Sequence, residues 1–92
     1  MAQVKAPNFQ RKIRDVLASG LETAGVRATI RLEKIPGTRL TRVMVTSPIF
    51  KKLRHSERQD FVWRIINQHF SPEEQLRIST IMTIAPAELH AA

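Results

Sequence analysis

The sequence predicts one α+β domain, a two-layer sandwich with a three-stranded sheet and helices on one face, in the order α-β-β-α-β. Two stretches repeat their apolar residues at helical spacing, and three stretches alternate apolar with polar residues. Turns rich in Pro, Gly or Ser separate them. The chain has 92 residues, of which 42% are hydrophobic and 25% charged, so it suffices for one modest core.

The first element is a helix. Residues 1–8 are predicted to form a flexible N-terminal arm, and residues 9–89 the single domain. Asn8 can cap a helix that runs to about Ala24, and Gly25 stands where helices commonly end in a left-handed residue. One apolar stripe lies along this helix: Phe9, Ile13, Val16, Leu17, Leu21 and Ala24.

Two strands follow the helix. Residues 26–33 alternate strictly between apolar and polar side chains. Residues 39–46 are predicted as a second strand, with Thr41, Val43 and Val45 on one face and Arg42, Met44 and Thr46 on the other. Pro36 and Gly37 lie between the two stretches and predict a tight turn. The two strands are therefore expected to form an antiparallel hairpin.

A second helix and a third strand complete the domain. Ser56 and Gln59 resemble a capping box, which predicts a helix from there to about Phe70. Its face of Phe61, Val62, Ile65 and Ile66 should cover the apolar residues of the hairpin. Ser71 and Pro72 predict a short capped turn. Residues 76–84 alternate again, with one predicted face made of Leu76, Ile78, Thr80, Met82 and Ile84.

Several classes of chemistry find no support in the sequence. The absence of cysteine excludes disulfides, thiol nucleophiles and cysteine-based metal sites. The histidines His55, His69 and His90 do not have metal-ligand spacing, and three glycines form no phosphate-binding loop. We therefore expect a binding protein without a cofactor, not an enzyme. No apolar segment predicts a membrane span or a signal peptide, so a cytoplasmic location is expected.

Charge is the unusual property of this chain. The formal net charge is +7, and residues 1–55 hold twelve basic against three acidic side chains. Such an imbalance predicts a polyanionic partner, with nucleic acid as the main interpretation and solubility as the alternative. The predicted nucleic-acid surface comprises the hairpin, the loop that follows it and the start of the next helix: Arg27, Arg31, Lys34, Arg39, Lys51, Lys52, Arg54 and Arg58.

Three segments carry a resemblance to a known family. Residues 43–50 form a valine-rich strand that ends in Ser and is followed by Phe50, residues 58–63 read Arg-Gln-Asp-Phe-Val-Trp, and residues 85–88 read Ala-Pro-Ala-Glu. Across residues 9–89 the chain resembles the BolA-like family, which has a type II K-homology-like topology. The family's Arg-His-Arg is reduced here to Arg58, and its Tyr is replaced by Trp63.

The resemblance implies a second function. The resemblance implies that the protein shares a [2Fe–2S] cluster with a monothiol glutaredoxin, as BolA-like proteins do. One ligand in that family is a His at the start of the last strand, and the second is a Cys or His in the loop between the first two strands. Here Arg77 or Ser79 occupies the first place, and residues 34–38 contain neither ligand. The alternative to nucleic-acid binding and transcription regulation is thus a protein-interaction adaptor for a monothiol glutaredoxin and iron–sulfur cluster trafficking, weakened by the missing His. Trp63, which lies off the main apolar line of its helix, and Arg77 are the predicted partner-binding residues.

Overall fold

The computed structural model describes residues 8–90. Most of the predicted N-terminal arm lies outside the described residues. The elements, in chain order, are α1 (Phe9–Thr23), β1 (Thr29–Lys34), β2 (Thr41–Thr46), a first 3₁₀ helix (Pro48–Lys52), α2 (His55–His69), α3 (Pro72–Gln75), β3 (Ile78–Ile84) and a second 3₁₀ helix (Pro86–His90).

The sheet has the strand order β1-β2-β3 and is mixed. β1 pairs with β2 in antiparallel fashion, with Ile30 opposite Val45, and β3 pairs with β2 in parallel, with Ile81 opposite Val43. A parallel neighbour requires a long crossover, which α2 and α3 supply. The two long helices cover one face of the sheet, so the predicted α+β class and element order are confirmed.

The start and end of α1 follow from local chemistry. The Asn8 side chain accepts a hydrogen bond from the Arg11 backbone N–H at 2.7 Å, which satisfies a donor that has no partner within the helix. Gly25, two residues beyond the end of α1, has φ +74°, a conformation that costs glycine nothing. Ile13, Leu17 and Leu21 are buried on the sheet side.

Helix α2 differs from the prediction in its start and in what it covers. It begins at His55, with Arg54 as the capping position, and the Glu57 carboxylate accepts the Arg54 backbone N–H at 2.8 Å. Ser56 lies within the first turn and is not the cap. α1 packs against β1, whereas α2 packs against β3 and α1. The Ile30 side of the hairpin is therefore covered by α1, and the predicted contact with α2 is corrected.

Strand β3 contains an irregularity that the alternating pattern did not predict. Thr41 pairs with Ile78, but the next residue of β2, Arg42, pairs with Thr80, so Ser79 is an extra residue in β3. The bulge reverses which face each later side chain occupies. Ile78, Ile81 and Thr83 are buried, while Thr80 and Met82 are exposed on the open face of the sheet.

The core lies between the sheet and the helices. Its buried apolar residues come from the helices, the strands and the connections between them: Ile13, Leu17, Leu21, Val43, Val45, Phe50, Val62, Ile65, Ile66, Phe70, Ile78, Ile81 and Ala85. Phe50, from the first 3₁₀ helix, is completely buried, which fixes the connection between β2 and α2. Across residues 8–90, no helix has the length and apolar character needed to cross a membrane.

Candidate functional site

A cleft of about 350 Å³ lies at the end of the sheet where the β1–β2 turn, the start of α1 and the start of β3 meet. We call it the Arg77 cleft. It is lined by Asn8, Phe9, Gln10, Lys34, Arg39, Thr41 and Arg77. Arg77 occupies one place at which the family resemblance implies an iron–sulfur ligand, and Lys34 begins the loop of the other, so the implied cluster site lies at or beside this cleft.

Arg77 is held in place by backbone and aromatic contacts. Its carbonyl accepts the Thr41 N–H at 2.9 Å, and its own N–H donates to the Glu74 carbonyl at 3.0 Å. The guanidinium carbon lies 4.2 Å from the centre of the Phe9 ring, a cation–π distance. Phe9 in turn meets the edge of Phe70, with ring centres 5.8 Å apart. Arg77 is thus a positioned cation in a partly buried site.

The hydrogen-bonding capacity of Arg77 is unused. Its Nε is buried and has no hydrogen-bond partner among residues 8–90. A buried donor without an acceptor costs free energy, so native proteins rarely leave one unpaired. The guanidinium is therefore held by packing over Phe9, with no carboxylate or carbonyl of the described chain bound to its side chain.

The electrostatics of the cleft are positive. Lys34, Arg39 and Arg77 form no ion pair with any acidic residue in the described part of the chain. Glu74, close to Arg77 in sequence, is bound by Lys12 at 2.7 Å. The Lys12 hydrogen bond, followed by that from the Ser71 N–H, holds the pKa of Glu74 below its ordinary value. Glu74 therefore stays ionised and engaged with Lys12.

The residues of the cleft do not fit a [2Fe–2S] cluster. Arg77 is a permanent cation, Ser79 donates its hydroxyl to the Thr41 carbonyl at 3.4 Å, and residues 34–38 provide no thiolate or imidazole. Protein ligands to such clusters are thiolates and imidazoles. Among the described residues there is also no group of three His, Cys, Asp or Glu side chains that could hold a metal ion. The described residues of the cleft therefore provide no ligand for a cluster.

Arg58, predicted to contact nucleic acid, is a structural residue. Its side chain is only 10% exposed. Its Nε donates to the Leu53 carbonyl, Nη1 donates to the Thr83 carbonyl, and both terminal nitrogens donate to the Glu88 carboxylate at 2.9 and 3.0 Å. Four of its five N–H donors are engaged within the protein and the side chain is buried, so the structure speaks against a phosphate contact by Arg58. In the sequence, the only indication of the Arg58–Glu88 pair was the Ala-Pro-Ala-Glu segment, residues 85–88. That segment was used only as part of the family resemblance.

Gln59 is a residue whose role the sequence interpretation missed. Its amide nitrogen donates to the Ile81 carbonyl at 2.8 Å and to the Thr83 hydroxyl at 3.2 Å. Its amide oxygen accepts the Trp63 indole N–H at 3.2 Å. Trp63 is half-buried and packs against the core, with its polar edge already satisfied. Its role as a partner-binding residue stays a prediction.

The other predicted basic residues lie at both ends of β2 and on the open face of the sheet. Lys34 and Arg39 flank the turn at one end of β2, whereas Lys51, Lys52 and Arg54 follow its other end. The six-residue strand between these groups spans roughly 17 Å. Arg27 precedes β1, and Arg31 is exposed on the open face of the sheet. The positive charge is divided among separate regions of the molecule.

Comparison with known proteins supports the fold. BolA1 from Arabidopsis thaliana has a similar structure, with a TM-score of 0.60 and 16% sequence identity, over 90% of this chain and 98% of that one. No protein-family model and no curated protein matches the sequence. The chain therefore has a BolA-like fold, and the resemblance seen in the sequence is confirmed at the level of the fold.

The likeness to BolA1 corrects the main functional prediction. Nucleic-acid binding and transcription regulation find no support in the BolA-like fold or in the comparisons. The division of the basic residues and the burial of Arg58 give the physical reason: a net charge predicts attraction to an anion, but binding a polyanion needs those charges together on one surface.

Proposed function

We propose that this protein is a non-catalytic adaptor that binds another protein, with a monothiol glutaredoxin as the partner to test first. The observation that carries the proposal is the BolA-like fold together with the Arg77 cleft at the position where the family resemblance implies the partner's cluster. The adaptor contributes no ligand to a cluster, because the cleft has a guanidinium where an imidazole is implied.

The cleft is suited to protein recognition. It combines an aromatic ring, Phe9, with the cations of Lys34, Arg39 and Arg77 and the polar side chains of Asn8 and Gln10. Aromatic and arginine side chains dominate the binding energy of many protein interfaces. Arg77 is also held in place before binding, which lowers the entropic cost of ordering it. Trp63 is proposed as a second partner contact, from α2.

The test is a binding measurement with a monothiol glutaredoxin, once without a cluster and once loaded with [2Fe–2S]. We expect complex formation in both cases by isothermal titration calorimetry and size-exclusion chromatography. The visible circular dichroism of the loaded glutaredoxin should show no new histidine-ligated spectrum, because no histidine lies in the cleft. Arg77→Gln and Trp63→Ala should weaken the complex, and Arg31→Gln, on the open face, serves as the control.

Two results would contradict the proposal. Absence of a complex with either form of the glutaredoxin would remove the adaptor function for this partner. A perturbed dichroism spectrum that disappears in His55→Ala or His69→Ala would show that the chain does ligate the cluster, through a histidine that the sequence does not place at the expected strand.

A further inference from the structure

We infer that the Arg77 cleft binds a carboxylate from an acidic segment of a partner protein. This inference rests on the proposed adaptor function and names the chemistry that the adaptor recognises. It follows from three observations: an arginine that is held in place with unused donors, three cations at the cleft without a competing carboxylate among the residues that the structure describes, and the size of the cleft.

The first observation concerns geometry. Packing over Phe9 at 4.2 Å immobilises the Arg77 guanidinium without using any of its N–H groups. A guanidinium is planar, and its donors match the two oxygens of a carboxylate in a bidentate arrangement. A partner carboxylate would thus meet a group whose position is already fixed. It would bind the two terminal nitrogens of Arg77, because Nε is itself buried.

The second observation concerns charge. Lys34 and Arg39 flank the β1–β2 turn and are exposed, while Arg77 is half-buried at the back of the same cleft. Three cations around a partly enclosed site attract an anion more strongly than the same cations spread over a flat surface. The acidic residues nearest in sequence are engaged elsewhere, Glu33 by Arg42 at 2.6 Å and Glu74 by Lys12.

The third observation concerns size. A cleft of about 350 Å³ is at the lower end of ligand-binding sites, which suits one or two side chains of a peptide. Lys34, the last residue of the edge strand β1, lines the cleft, so an extended segment of a partner can reach it from that edge with a carboxylate directed at Arg77. Gln10 and Asn8 supply neutral polar groups at the rim.

The test uses a capped hexaglutamate peptide as the probe, with capped hexaglutamine as the uncharged comparison. Binding is followed at low ionic strength by backbone amide shifts in ¹⁵N-labelled protein. We expect hexaglutamate, and not hexaglutamine, to shift the amides of Lys34, Arg39 and Arg77. Arg77→Gln should lower the affinity by about tenfold, because a charge-assisted pair is lost.

Two variants control for folding and for net charge. Arg39→Gln removes an exposed cation of the cleft and should weaken binding even if Arg77→Gln perturbs the packing over Phe9. Arg31→Gln removes the same charge from the open face of the sheet and should change the affinity by less than about twofold. Thermal unfolding followed by circular dichroism establishes that each variant is folded.

Three results would overturn the inference. Hexaglutamate could fail to bind, or all three variants could lower its affinity equally, which would indicate attraction to the net charge alone. Inorganic phosphate could bind the cleft with higher affinity than hexaglutamate, which would assign the site to a free anion and not to a peptide carboxylate.

The failure of the inference and that of the adaptor function are distinguishable. A glutaredoxin complex that survives both Arg77→Gln and Arg39→Gln would retain the adaptor and reject the cleft as its carboxylate site. Binding of hexaglutamate without any glutaredoxin complex would retain the cleft and reject that partner.

Discussion

At the scale of single residues, Arg58 shows how a charged side chain can be part of the core. Burial of a guanidinium is unfavourable unless its donors find acceptors. Here they find the Leu53 and Thr83 carbonyls and the Glu88 carboxylate. The side chain therefore joins α2 to three places: the residue that follows the first 3₁₀ helix, the end of β3 and the second 3₁₀ helix.

The Arg58–Glu88 pair predicts a dependence of stability on pH. The hydrogen bond from Arg58, and then that from the Ala85 N–H, lower the pKa of Glu88 from 4.5 to about 2. A carboxyl whose pKa is lower in the folded state stabilises the fold fully above its unfolded pKa, and this contribution is lost as the pH falls towards the folded pKa. Below pH 4.5, the stability advantage of the wild type over Glu88→Gln should therefore shrink.

Urea denaturation of both proteins between neutral pH and about pH 3 measures this difference. Glu73→Gln is the matched control, because Glu73 is exposed and forms none of the ion pairs found among residues 8–90. An advantage over Glu88→Gln that stays constant across the range would show that Glu88 is not responsible.

The sequence analysis singled out the segments that contain Arg58 and Glu88, but it could not predict that these two side chains bind each other. Arg58 and Glu88 each belong to a segment that resembles the BolA-like family, yet they are thirty positions apart. One sequence contains no information on which arginine meets which carboxylate. Because Arg58 has the same formal charge as its exposed neighbour Arg54, charge alone places it on the surface with the other basic residues.

At the scale of the elements, the contact between α1 and α2 depends on Gly20. A Cβ atom built at Gly20 would lie 2.6 Å from Cγ2 of Ile65, closer than side chains tolerate. Glycine inside a helix normally lowers stability by about 0.5–1 kcal/mol relative to alanine. Here its small size allows Ile65, which is 8% exposed, to pack directly against the backbone of α1.

A double-mutant cycle tests this contact. Gly20→Ala should destabilise the protein by about 1–3 kcal/mol through overpacking, and Ile65→Ala by about 2–5 kcal/mol through a cavity. The double variant should lose at least about 1 kcal/mol less than the sum, because each change relieves the effect of the other. The measurement is the free energy of unfolding in urea.

Ser19→Ala provides the control for adding helix propensity to α1, since Ser19 is exposed. Its effect should stay within about 0.5 kcal/mol. An Ile65→Ala loss under about 1 kcal/mol, or strict additivity in the cycle, would show that the two helices do not pack through this pair.

The third strand shows why an alternating pattern can predict a strand and still assign its faces wrongly. Residues 76–84 have apolar side chains in both phases, because Ile78 precedes the bulge and Ile81 follows it. Period-two counting assumes an uninterrupted strand. The extra residue, Ser79, is defined only by its pairing with β2, which is a contact between distant segments. The strand was therefore predictable, and its bulge was not.

At the scale of the whole molecule, the fold was more predictable than the function. Helical and alternating periodicities report burial directly, so the α-β-β-α-β order followed from them. Net charge, in contrast, is a sum over the whole chain and does not report where the charged side chains lie in the fold. Among the residues that the structure describes, basic side chains occur on α1 and α2, at both ends of β2 and on the open face of the sheet, and the sum +7 records none of these positions.

The net charge nevertheless predicts a response to salt. Mutual repulsion of cations destabilises a compact state, and added salt screens it. Raising NaCl from about 0.05 to about 0.5 M should therefore increase the free energy of unfolding. In the double variant Lys51→Gln, Lys52→Gln, which removes two exposed cations, the increase should be smaller. A free energy of unfolding that falls with NaCl would mean that the ion pairs dominate instead.

The two edges of the sheet differ in how open they are. The Ile81 and Thr83 carbonyls point away from β2, and Gln59 and Arg58 of α2 bind them. On β1, the Ile30 carbonyl accepts a hydrogen bond from the Arg14 side chain. The backbone N–H and C=O groups of Leu32 and Lys34, which also point away from β2, have no side-chain partner within the described chain. Sheet growth between molecules is thus restricted to one edge. Pairing of two β1 edges closes a dimer and leaves no further growing end, so a fibre built by edge-to-edge addition is blocked.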